Sequence, residues 1–180
     1  MFTLGLTGGI ATGKTTATDF FKAKGIDVID ADEVSRSLQQ KGQQGYTEIV
    51  EKFGSEVLDA NEEIDRAKLR EVAFSKEANR ATLEAIMHPM IRAQIANLFG
   101  EVKSKWAIYS APIWSGKNQF SRNLIIDAPK AIQIERISKR DKNDKDLAEK
   151  IIDQQMGYKE RISFADDFIM NDEGLDEFKA

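Results

Sequence analysis

The sequence predicts an α/β fold built on a mainly parallel sheet flanked by helices. Two observations carry that expectation. Short apolar segments that read as strands alternate with longer stretches of helical apolar spacing, and such alternation places crossover helices on the faces of a parallel sheet. The first stretch, roughly 30 residues, also runs strand, glycine-rich loop, helix, strand, the length and order of one βαβ unit. A length of 180 residues, 41% hydrophobic and 31% charged, suits one compact domain and excludes collagen-like, low-complexity and disordered classes.

The elements follow in order. Phe2 to Leu6 is an apolar run ending in TGGIATGKTT, and a helical pattern continues through about Lys24, where Gly25 closes it. Ile26 to Asp30 is a second strand, with Ile26, Val28 and Asp30 on one face. From Ala31 to about Phe99 the pattern is mostly helical, loosening around NEEID. Leu83, Ile86, Met87, Met90, Ile91, Ile95 and Leu98 recur at helical spacing and predict a core-facing stripe. Pro89 interrupts it and predicts a break or kink at His88, with a new helix starting beyond. Trp106 to Ala111 reads as the third strand and Asn123 to Asp127 as the fourth. A charge-dense helical stretch runs from Ala131 to Arg161, and Asp167 to Met170 is a last short strand.

Composition narrows the function classes. Lys and Arg total 26 against 30 Asp and Glu, a net charge of -4, which fits neither non-specific nucleic-acid binding nor an anionic membrane surface. With no Cys there are no disulfides, thiolate metal sites or cysteine nucleophiles, and His88 alone excludes a multi-histidine metal site. The amino terminus lacks the basic flank and apolar run of a signal peptide, and no segment approaches the ~20 apolar residues of a membrane span. The expectation is a soluble, cytoplasmic protein.

Gly8-Gly9-Ile10-Ala11-Thr12-Gly13-Lys14-Thr15 matches G-x-x-x-x-G-K-[ST] in full, after a strand and at the start of a helix. Glycines let the backbone curl so that N–H groups point at phosphate oxygens, and the helix presents its positive end to the same place. The nucleotide-binding set is Gly9, Ala11, Thr12, Gly13, Lys14, Thr15 and Thr16. Lys14 would reach the β- and γ-phosphates, and the Thr15 hydroxyl would ligate Mg²⁺. Asp30-Ala31-Asp32 ends the second strand, at the sheet edge where ligands bind. Asp32 could take a proton from a substrate hydroxyl or hold Mg²⁺ through water. Asp30 with Glu33 also resembles a capping box, so Asp30 can cap while Asp32 acts.

Arg136 and Arg140 stand i, i+4 on one helical face beside Lys139-Arg140-Asp141-Lys142-Asn143-Asp144-Lys145-Asp146. Two readings remain open: a solvated helix laced with ion pairs, or a lid bringing guanidinium groups onto the transferring phosphate. His88 beside Pro89 reads as a structural residue at a helix start. Trp106 reads as core, Trp114 as a pocket wall or buried anchor, and LIID ending in Asp127 as a loose match to a Walker B strand.

Taken in order, these pieces resemble the dephospho-coenzyme A kinase family. The resemblance runs through LTGGIATGKTT, GIDVIDADEVSR, KFG, LR, IMHPMI, LIIDAP, ERISKRD and ADDFIMNDEG and covers nearly the whole chain. It implies a P-loop kinase fold: five strands, a core of about residues 1–30 and 104–180, a helical substrate-binding region over about 31–103 and a lid over about 136–160. The implied reaction moves the γ-phosphoryl of ATP to the 3′-hydroxyl of dephospho-CoA, with Mg²⁺, the last step of coenzyme A synthesis. By resemblance Asp32 is the catalytic base, assisted by Lys14 and Arg140. Arg136 and Arg140 bind nucleotide from the lid, and Asp32, Arg36 and His88 face the acceptor. A monomer or weak homo-oligomer is expected, with no nucleic-acid or membrane partner. Two departures stand out: Pro112-Ile113-Trp114-Ser115-Gly116 has glycine where the family carries an acidic residue, and the chain stops at Ala180, short of a further helix. Gly116 motivates a non-catalytic nucleotide-binding relative as one alternative; another small-molecule or nucleotide kinase is a second. A GTPase switch would require [NT]-K-x-D, which is absent.

Overall fold

Among the described residues of the computed structural model (1–112, 120–141 and 145–179), five strands pair in parallel in the order β2-β3-β1-β4-β5. They are β1 (Phe2–Thr7), β2 (Asp27–Asp30), β3 (Trp106–Ser110), β4 (Arg122–Asp127) and β5 (Asp167–Met170). Strand β1 is central, with Leu6 in register with Ser110 of β3 on one side and Leu124 of β4 on the other. The chain winds to β2 and β3 on one flank and then crosses to β4 and β5. The loop after β1 therefore lies at the carboxyl edge beside the reversal in strand order, where open parallel sheets bind ligands. Trp114 and Gly116 lie outside the described residues, as do Lys142, Asn143 and Asp144 of the charged run.

Helix α1 (Lys14–Ala23) carries the chain from β1 back to β2. Its end is a full Schellman motif: Gly25, at φ 78°, donates to the Lys22 carbonyl at 2.9 Å and Ile26 donates to that of Phe21 at 3.1 Å. Ile26 is thus spent on the cap, and β2 opens one residue later than the apolar pattern suggests. Leu4, Leu6, Ile108, Leu124 and Ile126 point from one face of the sheet onto Ala17, with Phe21, Val28 and Trp106 packed around them. Each fully buried aliphatic side chain here stabilises the fold by about 1.5–3 kcal/mol. Trp106 belongs to this core as expected, edge-on to Phe21 at 5.9 Å. At the opposite end of the sheet, the Asp27 carboxylate accepts from the Lys103 and Ser104 N–H groups, each at 2.8 Å. Those bonds, the Ser104 backbone first, hold its pKa below the ordinary value.

The chain packs as two compact units, residues 1–30 with 102–180, and residues 31–101. The second is helical: α2 (Ala31–Leu38), α3 (Gln44–Phe53), a 3₁₀ turn (Ser55–Val57), α4 (Arg66–Ser75) and α5 (Glu77–Glu101). Its core gathers Ile49, Val57, Leu69, Ile86 and Met87, with Leu83, Met90 and Ile91 packed against it. The loosened NEEID segment is a turn held by Asp59, whose carboxylate accepts from Asn61 and Glu63, before Asp65 caps α4. Of the break or kink expected at His88, the break does not occur. Pro89 does not end a helix, and His88 does not start one; both sit inside the continuous α5. The ring removes one N–H to the Ala85 carbonyl, but apolar contacts on both sides of it, Ile86 and Met87 before and Met90 and Ile91 after, hold the helix through the defect.

In the sheet-bearing unit the charged stretch resolves into α6 (Lys130–Asp141), α7 (Lys145–Asp153) and α8 (Tyr158–Ile162), and α9 (Leu175–Lys179) follows β5. Lys130 at the start of α6 pairs with Glu149 and Asp153 of α7, both at 2.7 Å.

Candidate active site

The glycine-rich loop forms as the motif requires. Gly13, at φ 108°, is the N-cap of α1 and contributes no side-chain cap, and no acidic residue enters the first turn. A β-carbon at Gly13 would collide with the Asn171 side chain, so glycine is demanded by space as well as by conformation. A helix start of this kind is an anion site. Thr12 is buried and donates its hydroxyl to the Gly9 carbonyl at 2.9 Å, closing the loop on itself. Lys14 lies along the loop, donating to the carbonyls of Gly8 at 2.8 Å and Gly9 at 3.2 Å. Thr15, the second residue of α1, is exposed.

Three side chains from beyond β4 pin consecutive residues of this loop. The Gln155 side-chain carbonyl accepts from Ile10 N–H at 2.8 Å. Arg136 donates to the Ala11 carbonyl at 3.3 Å. Asn171 donates to the Thr12 carbonyl at 2.9 Å and accepts from Arg136 at 3.2 Å. Ala11 sits at φ 58°, a left-handed conformation that costs a non-glycine residue of order 1 kcal/mol or more and persists because its surroundings fix it.

Behind the loop is a buried polar cluster centred on Asp127, the last residue of β4. Its carboxylate accepts from Arg161 at 2.8 Å, Gln133 at 3.1 Å and the Ala128 N–H at 2.9 Å. Its main-chain carbonyl accepts from Asn171 N–H at 2.7 Å. Asp127, read from sequence as a loose Walker B match, is thus committed to the protein.

Asp30 ends β2 in register with Ser110 of β3, at the carboxyl edge of the sheet. The Ser110 hydroxyl is buried with no hydrogen-bond partner. Thr15, Asp30 and Ser110 are hard oxygen donors. Among the described residues no cluster of three or more His, Asp or Glu could enclose a metal. That donor set suits Mg²⁺, which keeps most of its waters and takes one or two protein oxygens, and suits no ion that needs an all-protein cage.

The remaining sequence-predicted residues divide between the units. Arg136 and Arg140 share α6; Arg136 is half-buried and tied to the loop rather than to a surface ion pair, while Arg140 is exposed. Asp32 and Arg36 stand i, i+4 on α2, exposed on the side away from buried Val34. His88 is exposed on α5. All three belong to the helical unit.

The family model described as dephospho-CoA kinase matches residues 2–177. The chain belongs to the dephospho-CoA kinase family. A dephospho-CoA kinase of Acinetobacter baylyi is 42% identical over 175 residues, 96% of this chain and 90% of that protein. One from Mannheimia succiniciproducens is 38% identical over 175 residues, 96% of this chain and 82% of that protein. Among solved structures, the dephospho-CoA kinase from Campylobacter jejuni superposes with a TM-score of 0.64 at 27% identity, covering 98% of this chain and 91% of that one. In this dephospho-CoA kinase family member Gln155 and Asn171 bond the phosphate loop, and Gln133 and Arg161 bond Asp127 behind it; the sequence marked none of them as a site residue. Asn171 had a signal, since it follows the last strand directly at the ligand-binding edge. Gln155 and Arg161 had none, because a glutamine and an arginine in a charged stretch look like solvated surface.

Proposed function

We infer that this chain transfers the γ-phosphoryl of ATP to the 3′-hydroxyl of dephospho-CoA. The observation that carries the reading is a complete phosphate loop, held at the start of α1 by three distant side chains, in a chain matched over residues 2–177 by the dephospho-CoA kinase model.

The loop N–H groups and the start of α1 bind and orient the triphosphate. Lys14 leaves the Gly8 and Gly9 carbonyls for the β- and γ-phosphates and offsets charge as it develops on the transferred group. Thr15 would hold Mg²⁺ directly, with Asp30 and Ser110 reaching its waters. When bound, Mg²⁺ neutralises phosphate charge. Asp32, two residues along the chain from the end of β2, orients the acceptor hydroxyl and takes its proton at a carboxylate oxygen as the bond to phosphorus forms. Arg36, four residues further on the same helix, binds acceptor phosphate, and His88 is assigned to the acceptor as well. Arg136 keeps the loop shaped, and Arg140, one turn on, reaches the transferring group when the segment at 136–160 closes as a lid.

Among the described residues no helix is long and apolar enough to cross a membrane. The reading places the protein in the cytoplasm as a monomer or weak homo-oligomer acting on small molecules, without a nucleic-acid partner. The deciding experiment incubates the enzyme with ATP, Mg²⁺ and a panel of acceptors: dephospho-CoA, shikimate, deoxyadenosine and AMP. Phosphorylation of dephospho-CoA alone, with coenzyme A as product, is expected. Turnover of another acceptor in its place, or ATP binding without any product, overturns the reading.

A further inference from the structure

Gln155 lies outside regular helix, in the short connection between α7 and α8, where a polar side chain would ordinarily face water. Here it is half-buried and its side-chain carbonyl takes the Ile10 N–H at 2.8 Å, across 145 positions of sequence. The connection itself is anchored. Arg161, only 9% exposed, donates from one guanidinium nitrogen to the Met156 carbonyl, next to Gln155. Its other nitrogens bind Asp127, Nη2 at 2.8 Å and Nε at 3.3 Å. The fork geometry of the guanidinium lets one side chain hold the strand end and the connection together. Gly9 lies against the same cluster: a β-carbon there would come within 3.3 Å of Gln133 and 3.5 Å of Arg161.

We propose that Gln155 is a positioning residue for phosphoryl transfer, linking Ile10 of the phosphate loop through Met156 and Arg161 to Asp127 at the end of β4. Ile10 immediately precedes Ala11, where the backbone turns through its left-handed conformation to present the following N–H groups to phosphate. Fixing the Ile10 N–H on one side of that turn, as Arg136 fixes the Ala11 carbonyl on the other, sets the loop before nucleotide arrives. Without Gln155 the loop must be ordered at the moment of binding, and the ordering cost appears as weaker ATP affinity. The proposal rests on the assignment of this loop as the ATP phosphate site.

The test is Gln155→Met, which keeps the length of the side chain and removes its acceptor. Calorimetric Kd for ATP with Mg²⁺, KM for each substrate and a melting curve are measured on wild type and variant. The expected result is a Kd and KM for ATP raised about 3–10-fold, the worth of one neutral hydrogen bond, with KM for dephospho-CoA unchanged. A purely structural role would instead lower the melting temperature and the active fraction while leaving both KM values in place, and that outcome overturns the proposal. So does an unchanged ATP affinity in a folded variant, or an equal rise in both KM values. Wild type that itself fails to bind ATP overturns the phosphate-site assignment and this proposal with it. Wild-type binding with an indifferent variant overturns this proposal alone.

Discussion

Replacing Asp127 with Asn preserves the outline of the side chain and removes its charge from a nearly dry place: Asp127 is 2% exposed and its partner Arg161 9%. Of its two oxygens, Oδ1 accepts from Ala128 N–H at 2.9 Å and Gln133 at 3.1 Å. Oδ2 accepts from Arg161 Nη2 at 2.8 Å and Nε at 3.3 Å. An asparagine amide has one oxygen for four donors. Turned one way, its NH₂ meets the guanidinium; turned the other, it meets the Ala128 N–H. Either orientation sets donor against donor and leaves the guanidinium buried without its counter-charge. Breaking one side of a buried ion pair costs about 3–5 kcal/mol. At about 2–4 °C of melting temperature per kcal/mol for a chain of this size, Asp127→Asn should melt about 6–20 °C lower. Urea unfolding of wild type and variant measures the free energy directly. The double variant Asp127→Asn with Arg161→Met removes both charges and should recover part of the loss, because the asparagine oxygen can still accept from Ala128 and Gln133 once no guanidinium is stranded. A single variant within 1 kcal/mol of wild type would refute the argument that the pair is desolvated and mutually dependent.

Lys14→Ala should lower kcat by about 10²-fold or more, because Lys14 stands on the Gly8 and Gly9 carbonyls of the loop, within reach of bound phosphate; steady-state kinetics beside a melting curve separates lost catalysis from lost folding. Asp32→Asn should lower kcat by about 10²–10⁴-fold with ATP affinity unchanged if Asp32 is the base, and a fully active variant would remove it from the mechanism. Asp27→Asn tests the cap on Lys103 and Ser104. The folded Asp27 pKa lies below its ordinary 3.8, so its contribution is complete well above pH 3.8 and is lost as pH falls through the folded value. The gap in melting temperature between wild type and Asp27→Asn should therefore hold at neutral pH and close in the acid range below 3.8.

What the sequence determined by itself was local in origin. Strands were legible because apolar runs are bounded by glycine, proline and aspartate, and the phosphate loop because its glycines and lysine act within eight consecutive residues. The end of α1 was legible because a Schellman motif needs glycine at one position, and Gly25 occupies it. Tertiary structure decided the rest. Pro89 carries a strong local signal for a helix break, yet α5 runs through it because apolar contacts on either side outweigh one missing hydrogen bond. Arg161 stood in sequence only as the end of a charged stretch, while Arg136 was paired with Arg140 on one helical face with a surface and a lid reading both open. Parallel pairing of β4 beside β1 brings the end of β4 and the helices that follow it against the phosphate loop. There Arg161 meets Asp127, Gln155 meets Ile10 and Arg136 meets Ala11. Those bonds span 34, 145 and 125 positions, and no periodicity or motif reaches that far. The loop chemistry is written in one short segment; the side chains that hold that segment in shape become neighbours only when the sheet closes around β1.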